Sequence, residues 1–471
     1  MSQIMKRSRM FLRLLLAGIV LVVAVNNVSA QDTVKVSLQE FIEIGINNSG
    51  QLDFEQQKVS LAENRIDQAQ NQRYLPRFDL STQHGLVPGV KSNVEGLDPN
   101  EFYLDPDLEN DWEDIGVFTR AEVNAIQPIF AWGGLRSLVK AARAGAESAK
   151  EQFESQQSNI EIRLYELYES YLLSVELQRL LDEANGKIED IGEQIEEQRE
   201  SGDSELDESD VFKFEIFKSE FAIRAAEVNE NIAYIKSIWS YVTQSDENTI
   251  YMPDLQFLDP VGNSIQELDY YRTHAIQERA EVKAIEAGIE AAEYGLDATK
   301  AQNYPTLFLG LSGSYANTPN RPRQSNPFII NNSNYASAAF GIGIRQNLDF
   351  FSMKADVERS NIQYNQAKYL KDAAVDGIVL EINDKYKNAS LSKVKVDRTD
   401  EALVTSKKWL RQEQLDYDFG MGDTKDLIDA MQKELELKVQ LKREIFEFNK
   451  NMAELYKASG MDITTLKLNN N

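Results

Sequence analysis

Asp426 and Asp429 stand three residues apart at the start of a helix-compatible segment, which puts both carboxylates on one helical face. Carboxylates so placed can favour the positive end of the helix dipole or present negative charge to a cation. Both follow a glycine turn: Tyr417 precedes Gly420, and Gly422 comes just after it. An earlier turn has the same plan, with Gly202 leading to Asp210 over a spacing two residues longer. Little else in the chain offers chemistry. His84 and His274 are the only histidines and there is no cysteine, so histidine metal sites, triads, disulfides and thiolate ligands lack raw material. No paired acid–base motif, phosphate-binding glycine loop or nucleophile elbow is present. The sequence therefore predicts no catalytic residue, no cofactor and no metal, and the chain is not expected to be an enzyme.

The elements that must position these acids belong to an exported, acidic chain. Of 471 residues, 42% are hydrophobic and 27% charged, a composition of neither a disordered chain nor a helical membrane protein. Residues 1–30 read as a signal peptide. Lys6, Arg7 and Arg9 open it, Leu14 to Val25 is unbroken and apolar, and Val28-Ser29-Ala30 offers small residues for cleavage. That apolar run is shorter than the ~20 residues a spanning helix needs. Cleavage would take the net charge from −26 to about −30. Such acidity excludes a nucleic-acid partner, which requires clustered Lys and Arg, and suits a solvated surface or a cation-attracting conduit.

The chain repeats itself. Ser37-Leu38-Gln39-Glu40 and Ser264-Ile265-Gln266-Glu267 both read as capping boxes that open helices. Both helices end near a proline, Pro76 and Pro305, which stops the helix and turns the chain toward extended geometry. Gln127-Pro128-Ile129-Phe130 is echoed by Gln346-Asn347-Leu348-Asp349-Phe350, each before a very long helix. A duplicated unit is the simplest account. The first repeat is placed at 31–245, with a hairpin at 77–127, a long helix at 135–199 and a helix at 210–243. An equatorial connector follows at 246–263. The second repeat is placed at 264–460, with a hairpin at 306–348, a long helix at 353–419 and a helix at 424–459. Residues 461–471 read as a poorly ordered polar tail.

Four stretches alternate with the period of a strand. Phe78, Leu80 and Leu86 oppose Asp79, Ser81 and Gln83; Val117, Ala121, Val123 and Ala125 oppose Arg120, Glu122 and Asn124. Leu307, Leu309, Leu311 and Tyr315 oppose Ser312 and Ser314; Ala338, Phe340, Ile342 and Ile344 oppose Gly341, Gly343 and Arg345. Strands of this kind suit a transmembrane barrel. Four cannot close one, and lipid tolerates no open sheet edge, so several copies must pool strands. The long polar loops 87–116 and 318–334 belong outside the membrane. The long helices need lateral partners, and their seams are legible: Phe214, Phe221, Ile232 and Trp239; Ile188, Ile191 and Ile195; Ile445, Phe448, Met452 and Leu455.

The run Tyr417-Asp418-Phe419-Gly420-Met421-Gly422-Asp423-Thr424-Lys425-Asp426-Leu427-Ile428-Asp429-Ala430 resembles the turn between the last two helices of TolC-like outer membrane efflux proteins. Gln-Pro-Ile-Phe-x-x-Gly ending at Gly133, the Ser-Leu-Gln-Glu opening and the two-half layout are similar as well. The resemblance covers essentially the whole mature chain. It implies an α+β membrane protein: mainly long α-helices forming a periplasmic α-barrel, plus four strands per protomer contributing to a shared twelve-stranded β-barrel. It further implies a homotrimer in the outer membrane, a periplasmic adaptor (membrane fusion protein) and an inner-membrane transporter as partners, and passive export as the function. Tyr417 matches the family's gate tyrosine, and Asp426 and Asp429 match the acids ringing the narrow end of the tunnel. Asp210 matches the corresponding acid of the first half. Gly422 stands where the family's best-known pattern has an arginine. The rival reading, a periplasmic coiled-coil or adaptor protein without a pore, leaves two duplicated alternating hairpins unexplained.

Overall fold

Ser37 starts the first helix as its sequence requires. Its hydroxyl accepts from the Glu40 backbone N–H (3.3 Å), and Glu40 accepts in return from the Ser37 N–H (2.8 Å). The Ser37 N–H and the Ser37 hydroxyl (2.9 Å) both donate to the Glu40 carboxylate and hold it below the usual range. The computed structural model describes residues 32–98, 101–201, 208–245, 249–324, 326–419, 421–422 and 424–466. The predicted signal peptide, Gly202 and Gly420 fall outside them. The elements are β1 (Asp32–Val36), α1 (Leu38–Asn47), α2 (Gly50–Tyr74), β2 (Arg77–Lys91), β3 (Glu109–Phe130), α3 (Gly134–Ser201), α4 (Glu208–Thr243) and β4 (Thr249–Pro253). They continue as α5 (Leu268–Glu278), α6 (Ala280–Ala301), β5 (Thr306–Asn317), β6 (Tyr335–Arg345), α7 (Phe350–Asp418) and α8 (Thr424–Ala458). Among the described residues no helix is both long and apolar enough to cross a membrane.

The chain divides into two compact units. One comprises Glu55–Phe153 and Glu281–Ala374, the other the remaining three segments. In the first, one antiparallel sheet runs in the order β2-β3-β5-β6. Its register gathers the alternating apolar residues. Leu80 pairs with Val123 and Phe78 with Ala125; Ala125 pairs with Leu311 and Ala121 with Tyr315; Leu311 pairs with Phe340 and Leu309 with Ile342. Directly paired residues share a face, so these side chains form one apolar surface across all four strands. The large side chains among them are bare in the single chain, Leu80 at 70% exposed, Phe340 at 85% and Ile342 at 71%, and they cover the small Ala125. Asp79, Glu122, Asn124, Ser312 and Ser337 lie on the opposite face. Close helix approach is also seen in this unit, where the buried Ser148 hydroxyl donates to the Ala284 carbonyl (2.8 Å).

The second unit is helical, with a two-stranded parallel sheet in which β1 pairs with β4. Its core stacks Phe41 on Trp239 at 4.0 Å, with Tyr168 and Tyr171 against the indole. Trp239 Nε1 donates to the Tyr251 carbonyl (2.8 Å), fixing β4 to α4. The seam residues Phe214, Phe221, Ile232, Phe448, Met452 and Leu455 are buried as their spacing predicts.

Glu169 and Glu176 in this unit are almost fully buried. Glu176 meets Arg179 at 2.6 Å and Lys442 at 3.2 Å. Among the described residues Glu169 meets no cation; Asn449 Nδ2 donates to its Oε2 (2.8 Å), while Oε1 has no hydrogen-bond partner. Burial pushes the Glu169 carboxyl up to about 7, against a smaller downward pull from Asn449. Asn449 also accepts from the Val261 N–H and donates to the Asp259 carbonyl, tying the connector to α8.

Two local expectations are corrected. Ser264 caps nothing: Glu267 takes the N-cap position in extended geometry with no side-chain capping bond. Ser264 is three residues ahead of that cap, and its hydroxyl accepts instead from Gln266 Nε2 (2.9 Å). The tail expected to be poorly ordered from Asp462 onward is packed as far as Leu466. Asp462 caps a short 3-10 turn, and Ile463 and Leu466 are buried.

Candidate functional site at the helical turns

The turn between α7 and α8 is built on a close approach of backbone. Phe419 N–H returns to the Leu415 carbonyl (3.1 Å) and Met421 N–H to the Asp416 carbonyl (2.8 Å), closing the end of α7. Gly422 then lies against that end. A Cβ there would sit 2.7 Å from the Tyr417 nitrogen and 2.9 Å from the Asp416 carbonyl carbon. Backbone atoms cannot swing aside as a side chain can, so this turn admits only glycine at 422, and an arginine is sterically excluded. Tyr417, half-buried in the last turn of α7, is therefore held through its own backbone by Gly422.

Apolar packing fixes α8 from its first turns. Leu427, Ile428, Ala430 and Met431 are buried. Ile428 and Met431 join Ile188, Ile191 and Ile195 of α3 and Phe214, Phe217 and Phe221 of α4 in one core cluster. Burying this face leaves Asp426 and Asp429 on the other, and both are exposed. Only Asp426 lies in the first turn, where the helix dipole favours a carboxylate. Asp429 is one turn further on, so dipole stabilisation, which fades beyond the first turn, does not account for it. Asp210 is the third residue of α4, one turn ahead of the cluster residue Phe214. The structure thus joins Tyr417 to Gly422 by contact, and Asp426 to Asp429 on one exposed face.

Residues 272–460, from α5 to the end of α8, match the family model described as Outer membrane efflux protein. That model covers the second half of the chain. No curated protein shows a significant sequence match. Among solved structures, the outer membrane protein VceC of Vibrio cholerae is similar at 16% identity and a TM-score of 0.68, covering 90% of this chain and 96% of that one. The MtrE outer membrane channel of Neisseria gonorrhoeae in its open state is similar at 14% identity and TM-score 0.68, covering 91% and 89%. A membrane protein of Pseudomonas aeruginosa gives a TM-score of 0.71 at 12% identity, covering 90% and 93%. At such identities the likeness concerns the fold.

One residue of the junction carried no reading from sequence. Trp132 follows β3 with φ of 51°, a left-handed conformation that a bulky side chain rarely adopts. Its indole N–H donates to the Pro305 carbonyl (2.9 Å), and its ring lies 5.2 Å from both Phe130 and Tyr304. The bond links the end of β3 to the start of β5, at the sheet-to-helix junction of both hairpins. A tryptophan directly before Gly133-Gly134 was the available signal.

Proposed function

We propose that three copies of this chain form a passive exit duct of the outer membrane, closing their sheets into one twelve-stranded barrel above a tube of long helices. The apolar surface that spans all four strands carries this reading. An apolar face of this kind belongs against lipid, and the polar face then lines the lumen. The edges β2 and β6 are unpaired in the single chain, and lipid allows no open edge. The four strands alternate in direction, so β6 of one copy runs antiparallel to β2 of the next and the pattern closes without a break. Exposed Phe212, Ile216, Ile223, Tyr234 and Tyr241 on α4 supply further apolar area for assembly to cover.

The duct does no chemistry. It receives cargo from an inner-membrane transporter through a periplasmic adaptor and conducts it outward. At the helical turns Asp426 and Asp429, repeated about the pore axis, form a cation-attracting ring, joined by Asp210 of the first half. Tyr417 acts as the gate residue. Gly422 removes the arginine of the family's gate, so closure here rests on the tyrosine and on packing. Purified protein reconstituted in planar bilayers should give discrete, cation-selective conductance steps; bilayers that stay silent would overturn the proposal.

A further inference from the structure

On the face of the sheet opposite the apolar surface, two phenylalanine rings break the polar pattern. Phe118 on β3 is paired directly with Gly85 on β2, and Phe308 on β5 directly with Gly343 on β6. Each ring lies over its glycine. A Cβ at Gly85 would come 2.6 Å from Phe118 Cε1, and one at Gly343 would come 2.6 Å from Phe308 Cζ. Gly310 leaves further room beside Phe308, at 3.6 Å from Cε2. Glycine inside a strand weakens it and marks a close approach, and here the approach is an aromatic ring covering the bare backbone. The Arg345 guanidinium sits 5.2 Å from the Phe308 centroid.

The two pairs lie near opposite ends of the four-stranded part of the sheet, beyond which β2 and β3 continue as a hairpin to Lys91 and Glu109. Phe118 is at the loop end, just past the Thr119–Asn317 pair where β3 and β5 part, whereas Phe308 is opposite Pro128 near the helix junction. Ten positions of β3 separate those levels, about 33 Å of strand, close to the thickness of a bilayer core. We propose that Phe118 and Phe308 set the bore of the duct at its two ends, each kept flat against the wall by the glycine opposite it. The inference rests on the duct reading, which makes this face the lumen. A side chain in place of either glycine lifts the ring away from the wall, because a ring can rotate where the paired backbone cannot.

The test uses the full-length protein in planar bilayers, with neutral polyethylene glycols of graded size added on the loop side. That access does not depend on the helical turns. The largest polymer that enters and lowers the current should be smaller in Gly85→Val and Gly343→Val than in the parent, and Gly→Ala at each site should shift it the same way by less. Adding Phe118→Ala or Phe308→Ala to the matching Val variant should restore the parental cut-off. An unchanged cut-off in the Val and Ala variants, or a loss that persists without the phenylalanine, would overturn the inference. A parent protein that forms no channel would instead count against the duct reading.

Discussion

Among the described residues Glu169 is a buried carboxylate with one hydrogen bond and no counter-charge, beside a Glu176 that has both Arg179 and Lys442. Its neighbours explain the contrast. Tyr165 and Tyr168 lie on its own helix, Asn449 faces it from α8, and the connector offers the Asp259 carbonyl to that same asparagine. With a folded value of about 7 against 4.5 for the free group, the folded state holds its proton more tightly than the unfolded one. Stability is therefore greatest below the lower value, falls as pH rises through this window and levels off above the upper value, a difference of about 3 kcal/mol. Glu169→Gln keeps an acceptor for Asn449 and should abolish that dependence, melting higher than the parent at pH 8 but not at pH 4.5. Equal slopes of melting temperature against pH in both proteins would refute this. At Gly422 the geometry predicts a local penalty. Gly422→Ala should destabilise the turn by about 1–3 kcal/mol through overpacking, read as faster proteolysis between α7 and α8. The spacing that exposes the two aspartates was legible in sequence. The close approach at Gly422 was not, because it depends on how the turn folds back onto α7.

Elements were legible to the degree that their signals are local. The alternation of β2, β3, β5 and β6 needs only neighbouring residues, and the register then places every alternating apolar residue on one face. The seams of α4 and α8 were readable for the same reason. Strands β1 and β4 were not. Each has five residues, too few for alternation to count, and each finds its partner more than two hundred residues away. The two Ser-x-x-Glu sequences show the limit of motif reading: Ser37 forms the full box, whereas at the second site Glu267 is itself the cap. Ser37→Ala should thus destabilise its unit by about 1 kcal/mol in denaturant titration, while Ser264→Ala should cost well under half as much. Trp132 ties the two hairpins together in a conformation that resists a large side chain. Trp132→Gly relieves the backbone but removes the bond to Pro305 and the contact with Tyr304. The lost packing outweighs the relief, so the variant should give an assembly that dissociates at lower temperature on semi-native gels.

For the whole molecule, the decisive features are surfaces that a single chain leaves unfinished. An apolar sheet face, two unpaired strand edges and an exposed apolar stripe on α4 all remain open. Periodicity revealed the face, but how many copies complete it is set by barrel geometry, which no local pattern encodes. On the proposed function the chain's net charge of −26 favours cations along the path, with Asp426 and Asp429 concentrating that preference at one level. Replacing both with Ala should lower cation selectivity and weaken block by multivalent cations in single-channel recordings, without changing assembly. Unaltered selectivity would leave these acids as solvated helix starts only. The pooling of sheets between copies is tested most directly by the mass of the purified protein in detergent, measured by light scattering with the micelle subtracted. Three chains per particle are predicted; a particle containing one chain would contradict the account.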